Sequence, residues 1–149
     1  MKICIIDDDF ICRLLTQKLF ERASDKVQIS HFINGMKAFE FFAKHSSQPH
    51  YLPELIILDI NMPVANGWQF LDMLVDLDIT GYYPTIYISS SSVDSTDLKL
   101  AGQYSLVRGY LPKPMTSAMV ADVLEATSYP AFAIGSYENI VPEFVNRNK

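Results

Sequence analysis

Long hydrophobic runs are missing from this chain of 149 residues. Its apolar stretches are a few residues each, far short of the about 20 that a membrane-spanning helix needs, so no contact with a membrane is expected. Basic blocks are missing too. The net charge is −5 and the lysines and arginines are dispersed, which argues against a surface that tracks nucleic-acid phosphates. The opening segment, MKICIIDDDF, has one lysine and then three acids within nine residues, unlike a signal peptide. The two cysteines, Cys4 and Cys12, therefore read as reduced, buried thiols. Internal repeats and low-complexity tracts are absent as well. These absences leave a soluble, cytoplasmic, single-domain protein, and 49% hydrophobic residues are enough to fill one core.

What is present is an alternation of short apolar runs and helical periodicity. KICII (2–6) is dense in β-branched residues and predicts a strand. Ile11, Leu14, Leu15 and Leu19 then follow helical spacing from Phe10 onward, with Asp9 as N-cap. VQISHF (27–32) predicts a second strand. Asn34-Gly35 signals a turn, after which Met36, Phe39, Phe42 and Ala43 mark the buried stripe of a second helix. Residues 45–53 read as loop and LIILD (55–59) as a third strand. A third helix carries Trp68, Leu71, Leu74 and Val75. PTIYISS (84–90) predicts a fourth strand, with a weak fourth helix opening at Asp94 to Asp97. VRGYL (107–111) predicts a fifth strand, and Thr116 to Thr127 a fifth helix with Met119, Val120, Val123 and Leu124 inward. Five strand–helix units of this size predict a doubly wound α/β domain, a five-stranded parallel sheet flanked by five helices. The nearly unbroken apolar character of strands one and three fits strands covered on both sides.

The strand ends break that apolar pattern. Strand one ends in Asp7-Asp8-Asp9, strand three in Asp59, strand four in a run of serines from Ser89, and Lys113 follows strand five. In an open parallel sheet these ends share one edge, where ligands bind, so Asp7, Asp8, Asp59, Ser89 and Lys113 are expected together. Clustered carboxylates raise one another's pKa unless a cation neutralises them. Two or three hard oxygen ligands with open positions suit Mg²⁺, which favours a phosphate as a further ligand. A screened carboxylate beside a lysine and a hydroxyl can act as a nucleophile towards phosphorus, giving an aspartyl phosphate.

At this point the chain resembles the receiver domain of two-component response regulators, in its stand-alone form. The resemblance rests on the acidic pair in IIDDDF, on LDINMPVANG, on the hydroxyl ending TIYISS, and on GYLPKP, and it spans roughly Lys2 to Ala126. It implies a receiver domain over residues 1–127 with the strand order 2-1-3-4-5. It implies a phosphorylation-dependent signalling switch rather than an enzyme acting on other molecules, with Asp59 as phosphoacceptor and Mg²⁺ as cofactor. Asp8, Asp59 and the backbone carbonyl of Asn61 would ligate the metal, with Asp7 acting mainly through a metal-bound water. Lys113 would pair with the phosphoryl oxygens, and backbone amides of Asn61 and Ser90 would donate to them. Ser89 and Tyr110 would form the switch. The Lys113–Pro114 bond would be cis, and Gly67 would serve a tight turn. The implied partners are a histidine kinase or histidine phosphotransfer protein and a downstream protein target, with no direct nucleic-acid binding. Ser89 stands where Thr is more frequent, Ser90 where Ala is common, and Pro112 where a backbone donor is usual.

Other polar residues read more plainly. Ser91 and Ser92 suggest a polar loop, Met62 and Pro63 turn geometry, and His31, His45 and His50 show no ligand spacing. Two rival readings are an Asp-nucleophile phosphatase of the haloacid dehalogenase class and a receiver-like module that binds partners without phosphorylation. The first expects an acid two residues after the nucleophile, where this chain has Asn61. The extension 128–149 carries seven large aliphatic or aromatic residues from Tyr129 to Phe144, too apolar for a disordered tail. It is expected to pack on the domain or to join a partner or homodimer contact.

Overall fold

The computed structural model describes residues 1–92 and 94–128, so the expectations for the rest of the C-terminal extension lie outside the described residues. Five strands form one parallel sheet, β1 (Lys2–Ile6), β2 (Gln28–Phe32), β3 (Leu55–Leu58), β4 (Thr85–Ser90) and β5 (Val107–Pro112), in the order β2-β1-β3-β4-β5. The helices are α1 (Phe10–Ala23), α2 (Gly35–Lys44), α3 (Gly67–Leu77), α4 (Ser95–Ala101) and α5 (Ser117–Thr127). The doubly wound architecture and the strand order are those expected. The segment 45–53, expected to be loop, contains one 3₁₀ turn at Pro49–Tyr51, where Pro49 presets the backbone of its first position.

Alternation along the strands divides the core in two. Cys4, Ile6, Ile56, Leu58, Ile86 and Ile88 face α2 and α3, where Phe42, Phe70 and Leu71 are fully buried. Ile3, Ile5, Leu55, Ile57, Tyr87 and Leu111 face the other way, against Phe20 of α1 and Val120 and Val123 of α5. The helix stripes depart from expectation. On α2 the buried line runs through Gly35, Ala38 and Phe42, while Met36, Phe39 and Ala43 are only partly covered. On α3 Val75 is exposed and Phe70 takes the core position. On α1 Phe20 alone is fully buried, and Ile11, Leu14 and Leu15 face outward. Cys12 is half-exposed rather than buried; Cys4 is buried, as expected.

Polar residues set the helix starts. Asp9 accepts from the Cys12 amide, Asn34 from Lys37, Asp94 from Thr96 and Thr116 from Met119. Asn66 and Gln69 form a reciprocal capping box on α3. One register shift lies between Ile86 and Tyr87, where β5 carries Arg108 as an extra residue. The Arg108 guanidinium is buried and donates to the carbonyl of Ala126, satisfying the last turn of α5.

Candidate functional site

The pleat explains how the site is assembled. Continuing the smaller core's side of each strand by two residues leads from Ile5 to Asp7, from Ile57 to Asp59, from Tyr87 to Ser89 and from Leu111 to Lys113. Four neighbouring strands thus bring two acids, a hydroxyl and an ammonium to one sheet edge, just beyond the core. Two ladder bonds fix the acids: the Asp59 amide donates to Ile6 at 2.8 Å and the Asp7 amide to Phe32 at 3.1 Å. The Lys113 amide donates to the Ser90 carbonyl at 2.8 Å, carrying the pairing past Pro112, which has no donor.

The three consecutive acids have three fates. Asp7 is buried, and its carboxylate accepts from the Asp9 amide at 2.8 Å and from the Lys113 ammonium at 2.6 Å. Asp8 is exposed. Asp9 caps α1, and the Cys12 amide holds its carboxyl below the usual range. Asp59 is buried, with Lys113 at 3.4 Å and the Asn61 amide donating to it at 3.2 Å. Burial raises the Asp59 pKa and the charge of Asp7 adds to this, with the Asn61 amide and Lys113 opposing. Burial works to lower the Lys113 pKa, but the bond and charge of Asp7 and the charge of Asp59 outweigh it, so the net shift is upward.

One carboxylate oxygen from each of Asp7, Asp8 and Asp59 lies within 4.8 Å of the other two. Three carboxylates face one ammonium there, and both Asp7 and Asp59 are largely shielded from bulk water. This donor set fits a hard divalent cation: it is all oxygen, and it carries an excess of negative charge that Lys113 does not neutralise.

The loop from Asp59 to α3 is held by close approach. A Cβ at Gly67 would stand 2.6 Å from the Asp59 carbonyl and 2.8 Å from the Ile60 Cα, so only glycine fits against the strand end. Gly67 is therefore needed for space at the entry to α3. The left-handed conformation falls instead on Val64, at φ 68°, which is costly for a β-branched residue. The Lys113–Pro114 bond is cis, as expected.

Ser89 and Ser90 are buried at the end of β4. Tyr110 is also buried, and its hydroxyl donates to the Ser92 carbonyl at 2.9 Å. Ser92, read from sequence as plain loop, is thus the anchor of the candidate switch residue. Arg13 went unnoticed as well; its guanidinium donates to the Asp7 carbonyl at 2.5 Å and lies over the Phe10 ring. Its position one helical turn after the Asp9 cap was the available signal. His31 of β2 bonds to Gln17 of α1 at 2.7 Å, and His45 bonds to the Phe41 carbonyl one turn earlier at 2.9 Å.

The chain belongs to the response regulator receiver domain family, whose profile matches residues 3–125. It is 26% identical over 115 residues to a probable methanogenesis regulatory protein of Methanothrix harundinacea, covering 76% of this chain and 72% of that protein. It is 31% identical over 125 residues to an uncharacterized response regulatory protein of Staphylococcus epidermidis, covering 83% of this chain but 45% of that one. Among solved structures, a two-component response regulator from Cytophaga hutchinsonii superposes with a TM-score of 0.75 at 25% identity, covering 85% of this chain and 96% of its own. The protein is a receiver domain of two-component signalling. Receiver domains bind Mg²⁺ at an acidic cluster, and Asp7, Asp8 and Asp59 form such a cluster here. Among the described residues no helix is long and apolar enough to cross a membrane.

Proposed function

We propose that this chain is a phosphorylation-dependent switch that accepts a phosphoryl group on Asp59. The observation that carries the reading is the Asp59 carboxylate itself. It is buried at a rigid strand end, beside the Lys113 ammonium at 3.4 Å and the Asn61 amide at 3.2 Å, with two further carboxylates close by. An Asp59 oxygen forms the new bond to phosphorus while the bond from phosphorus to the donor's nitrogen or oxygen breaks, and the leaving group departs with that electron pair. Lys113 is placed to meet the phosphoryl oxygens, and the amides of Asn61 and Ser90 to donate to them. Asp8, Asp59 and the Asn61 carbonyl would hold Mg²⁺, with Asp7 reaching it through water; the metal supplies charge neutralisation for the transfer.

Ser89 and Tyr110 couple the acceptor to the surface of α4, β5 and α5. Phosphorylation favours one of two arrangements of this pair, which is a population shift and needs no new fold. The donor is a histidine kinase or a histidine phosphotransfer protein, and the output is binding to a protein target in the cytoplasm. The domain comprises residues 1–127, its covalent chemistry is confined to its own aspartate, and residues 128–149 are an extension. The Asn61 side chain is an amide and supplies no general acid, which disfavours a phosphatase acting on other molecules.

The test is intact-protein mass after incubation with acetyl phosphate and Mg²⁺. One added phosphoryl group is expected in the wild type, and none in Asp59→Asn or with the metal chelated. If neither an adduct nor beryllofluoride binding is seen, the chain is a partner-binding module independent of phosphorylation.

A further inference from the structure

The peptide units around the acids that follow β1 are each held differently. The peptide ahead of Asp7 belongs to the sheet, its amide donating to the Phe32 carbonyl at 3.1 Å. The peptide ahead of Asp9 is tied to a side chain, its amide donating to the Asp7 carboxylate at 2.8 Å. Between them lies the peptide that joins Asp7 to Asp8. Its carbonyl accepts from the Arg13 guanidinium at 2.5 Å. Arg13 is half-buried on α1, and its guanidinium lies over the Phe10 ring, 5.8 Å from the centroid. Its own amide donates to the carbonyl of the Asp9 cap at 3.0 Å.

Asp8 has the least support of the acids. It is exposed, and among the described residues its carboxylate takes part in no hydrogen bond or ion pair. Yet one of its oxygens stands within 4.8 Å of an oxygen of Asp7 and one of Asp59. The backbone alone sets its direction. A peptide unit is planar, so fixing the Asp7 carbonyl fixes the plane that also holds the amide and Cα of Asp8.

We infer that Arg13 is the positioning residue for Asp8, and that it raises the affinity of the acidic cluster for Mg²⁺ through the backbone, without being a ligand. The inference rests on the reading of Asp8 as a Mg²⁺ ligand given above. The bond from Arg13 goes to a carbonyl and not to a carboxylate, so it serves geometry. The cation that answers the acids is Lys113, at 2.6 Å from Asp7 and 3.4 Å from Asp59. Mg²⁺ takes near-octahedral ligands at about 2.0–2.1 Å, and a carboxylate on a loose peptide must be ordered, at a cost in entropy, when the metal binds. The other hold on this turn, from the Asp9 amide, uses the Asp7 carboxylate, which also bonds Lys113 and would bond a metal-bound water. The hold from Arg13 occupies no carboxylate oxygen, so the entry of a metal need not disturb it.

Charge alone argues the other way, and this gives the test its sign. A guanidinium near a metal site repels the metal, so neutralising Arg13 would tighten Mg²⁺ binding if charge were its only contribution. Losing the hold on the peptide weakens binding. A side chain that merely fastened α1 would change the melting temperature and leave the Mg²⁺ affinity of the folded protein as it was.

The experiment is calorimetric titration of the full chain with Mg²⁺, for wild type, Arg13→Met, Arg13→Lys and Lys18→Met, with acetyl phosphate kinetics over the same Mg²⁺ range. Arg13→Met keeps the stem and removes donor and charge. Roughly ten-fold weaker Mg²⁺ binding is expected, the loss typical when a group behind a metal ligand is removed. Its phosphorylation rate should fall in proportion at low Mg²⁺ and recover to near the wild-type rate at saturating Mg²⁺, since Asp59 and Lys113 are untouched. Arg13→Lys keeps the charge on a side chain one atom too short for the carbonyl, and several-fold weaker binding is expected there too. Lys18→Met removes an exposed charge from the same helix and should leave the affinity unchanged. Wild-type or tighter Mg²⁺ binding in Arg13→Met overturns the inference, whatever its melting temperature. Should that variant not fold, wild-type binding in Arg13→Lys overturns it. A wild type that binds no Mg²⁺ overturns the reading of Asp8 and the inference with it, and the wild-type titration shows this before any variant is compared.

Discussion

The two layers flanking the sheet are built to different standards. Under α2 and α3 the core is aromatic and interlocked: Phe42 meets Phe70 edge-on at 5.5 Å, Phe41 meets Phe32 at 5.2 Å, and Trp68 stacks on Tyr104 at 5.9 Å. Under α1 and α5 the fully buried helix side chains are Phe20, Val120 and Val123. α1 is fastened instead by the Asp9 cap and by Arg13 at the Asp7 carbonyl. The site residues Asp7, Asp59, Ser89 and Lys113 extend the strand positions that face this thinner layer. One layer holds the fold, and the layer that carries chemistry is held more lightly, as elements that must respond to a ligand or partner tend to be.

The sharpest test of that asymmetry is a pair of cavity mutants. Phe70→Ala is expected to cost about 3–5 kcal/mol, a large part of the total for a domain of this size, and to lower the urea midpoint with little change in slope. The folded fraction should still accept a phosphoryl group. Phe20→Ala should cost less and should slow phosphorylation in the folded protein, because α1 positions Arg13 and Asp9. If Phe20→Ala proves the costlier of the two, the comparison is wrong.

Next in size is Gly67→Ala. The added Cβ meets backbone atoms of Asp59 and Ile60 at 2.6 and 2.8 Å, and backbone yields poorly, so a cost of about 1–3 kcal/mol is expected, together with slower adduct formation. Gly102→Ala is the control. There the nearest atom would be 3.4 Å away in a right-handed backbone, and a gain of up to about 1 kcal/mol is expected. Asn66→Ala removes the capping box of α3 and should cost about 1 kcal/mol with Asp59 left in place. Thermal melts and acetyl phosphate kinetics on the three variants separate the loop's packing from its chemistry.

Much of this was legible in the sequence because strand and helix periods differ and because strand ends in a parallel sheet share an edge. Asp59 stood out as an acid closing an apolar run, and Asp7 and Lys113 followed from topology. The orientation of α1 was not legible. Ile11, Leu14 and Leu15 have helical spacing, yet spacing alone does not say which side of a helix meets the sheet, and half-buried Arg13 and Thr16 lie nearer Phe20 than they do. On α2, Phe42 is buried as expected, but the buried line also runs through the small Ala38, which a stripe read from large side chains does not mark. The extra residue at Arg108 and the left-handed Val64 carry no local signal, since neither position holds the Gly or Asn that usually marks such geometry. The anchoring of Tyr110 on Ser92 is a backbone contact, which side-chain identities do not encode.

The smallest expected effect concerns the charge of Asp59. Without a divalent metal, Asp59→Asn should raise the melting temperature at neutral pH by a few degrees or less. The folded state raises the pKa of this carboxyl through burial, so it holds the proton more tightly than the unfolded chain does. Below the unfolded value of 3.8 both states are protonated and the group has no net effect. As pH rises from there through the folded pKa, the wild type comes to carry the full cost of a buried charge, and the asparagine variant does not. The gain should therefore be largest near neutrality and shrink towards zero as pH falls to about 4. Saturating Mg²⁺ should stabilise the wild type more than the variant, narrowing the difference, because the cation then balances the carboxylates that Lys113 alone does not. A variant less stable than wild type at neutral pH would mean that the contact between Asp59 and Lys113 outweighs burial and repulsion. The lightly held layer would then be fastened at the site itself.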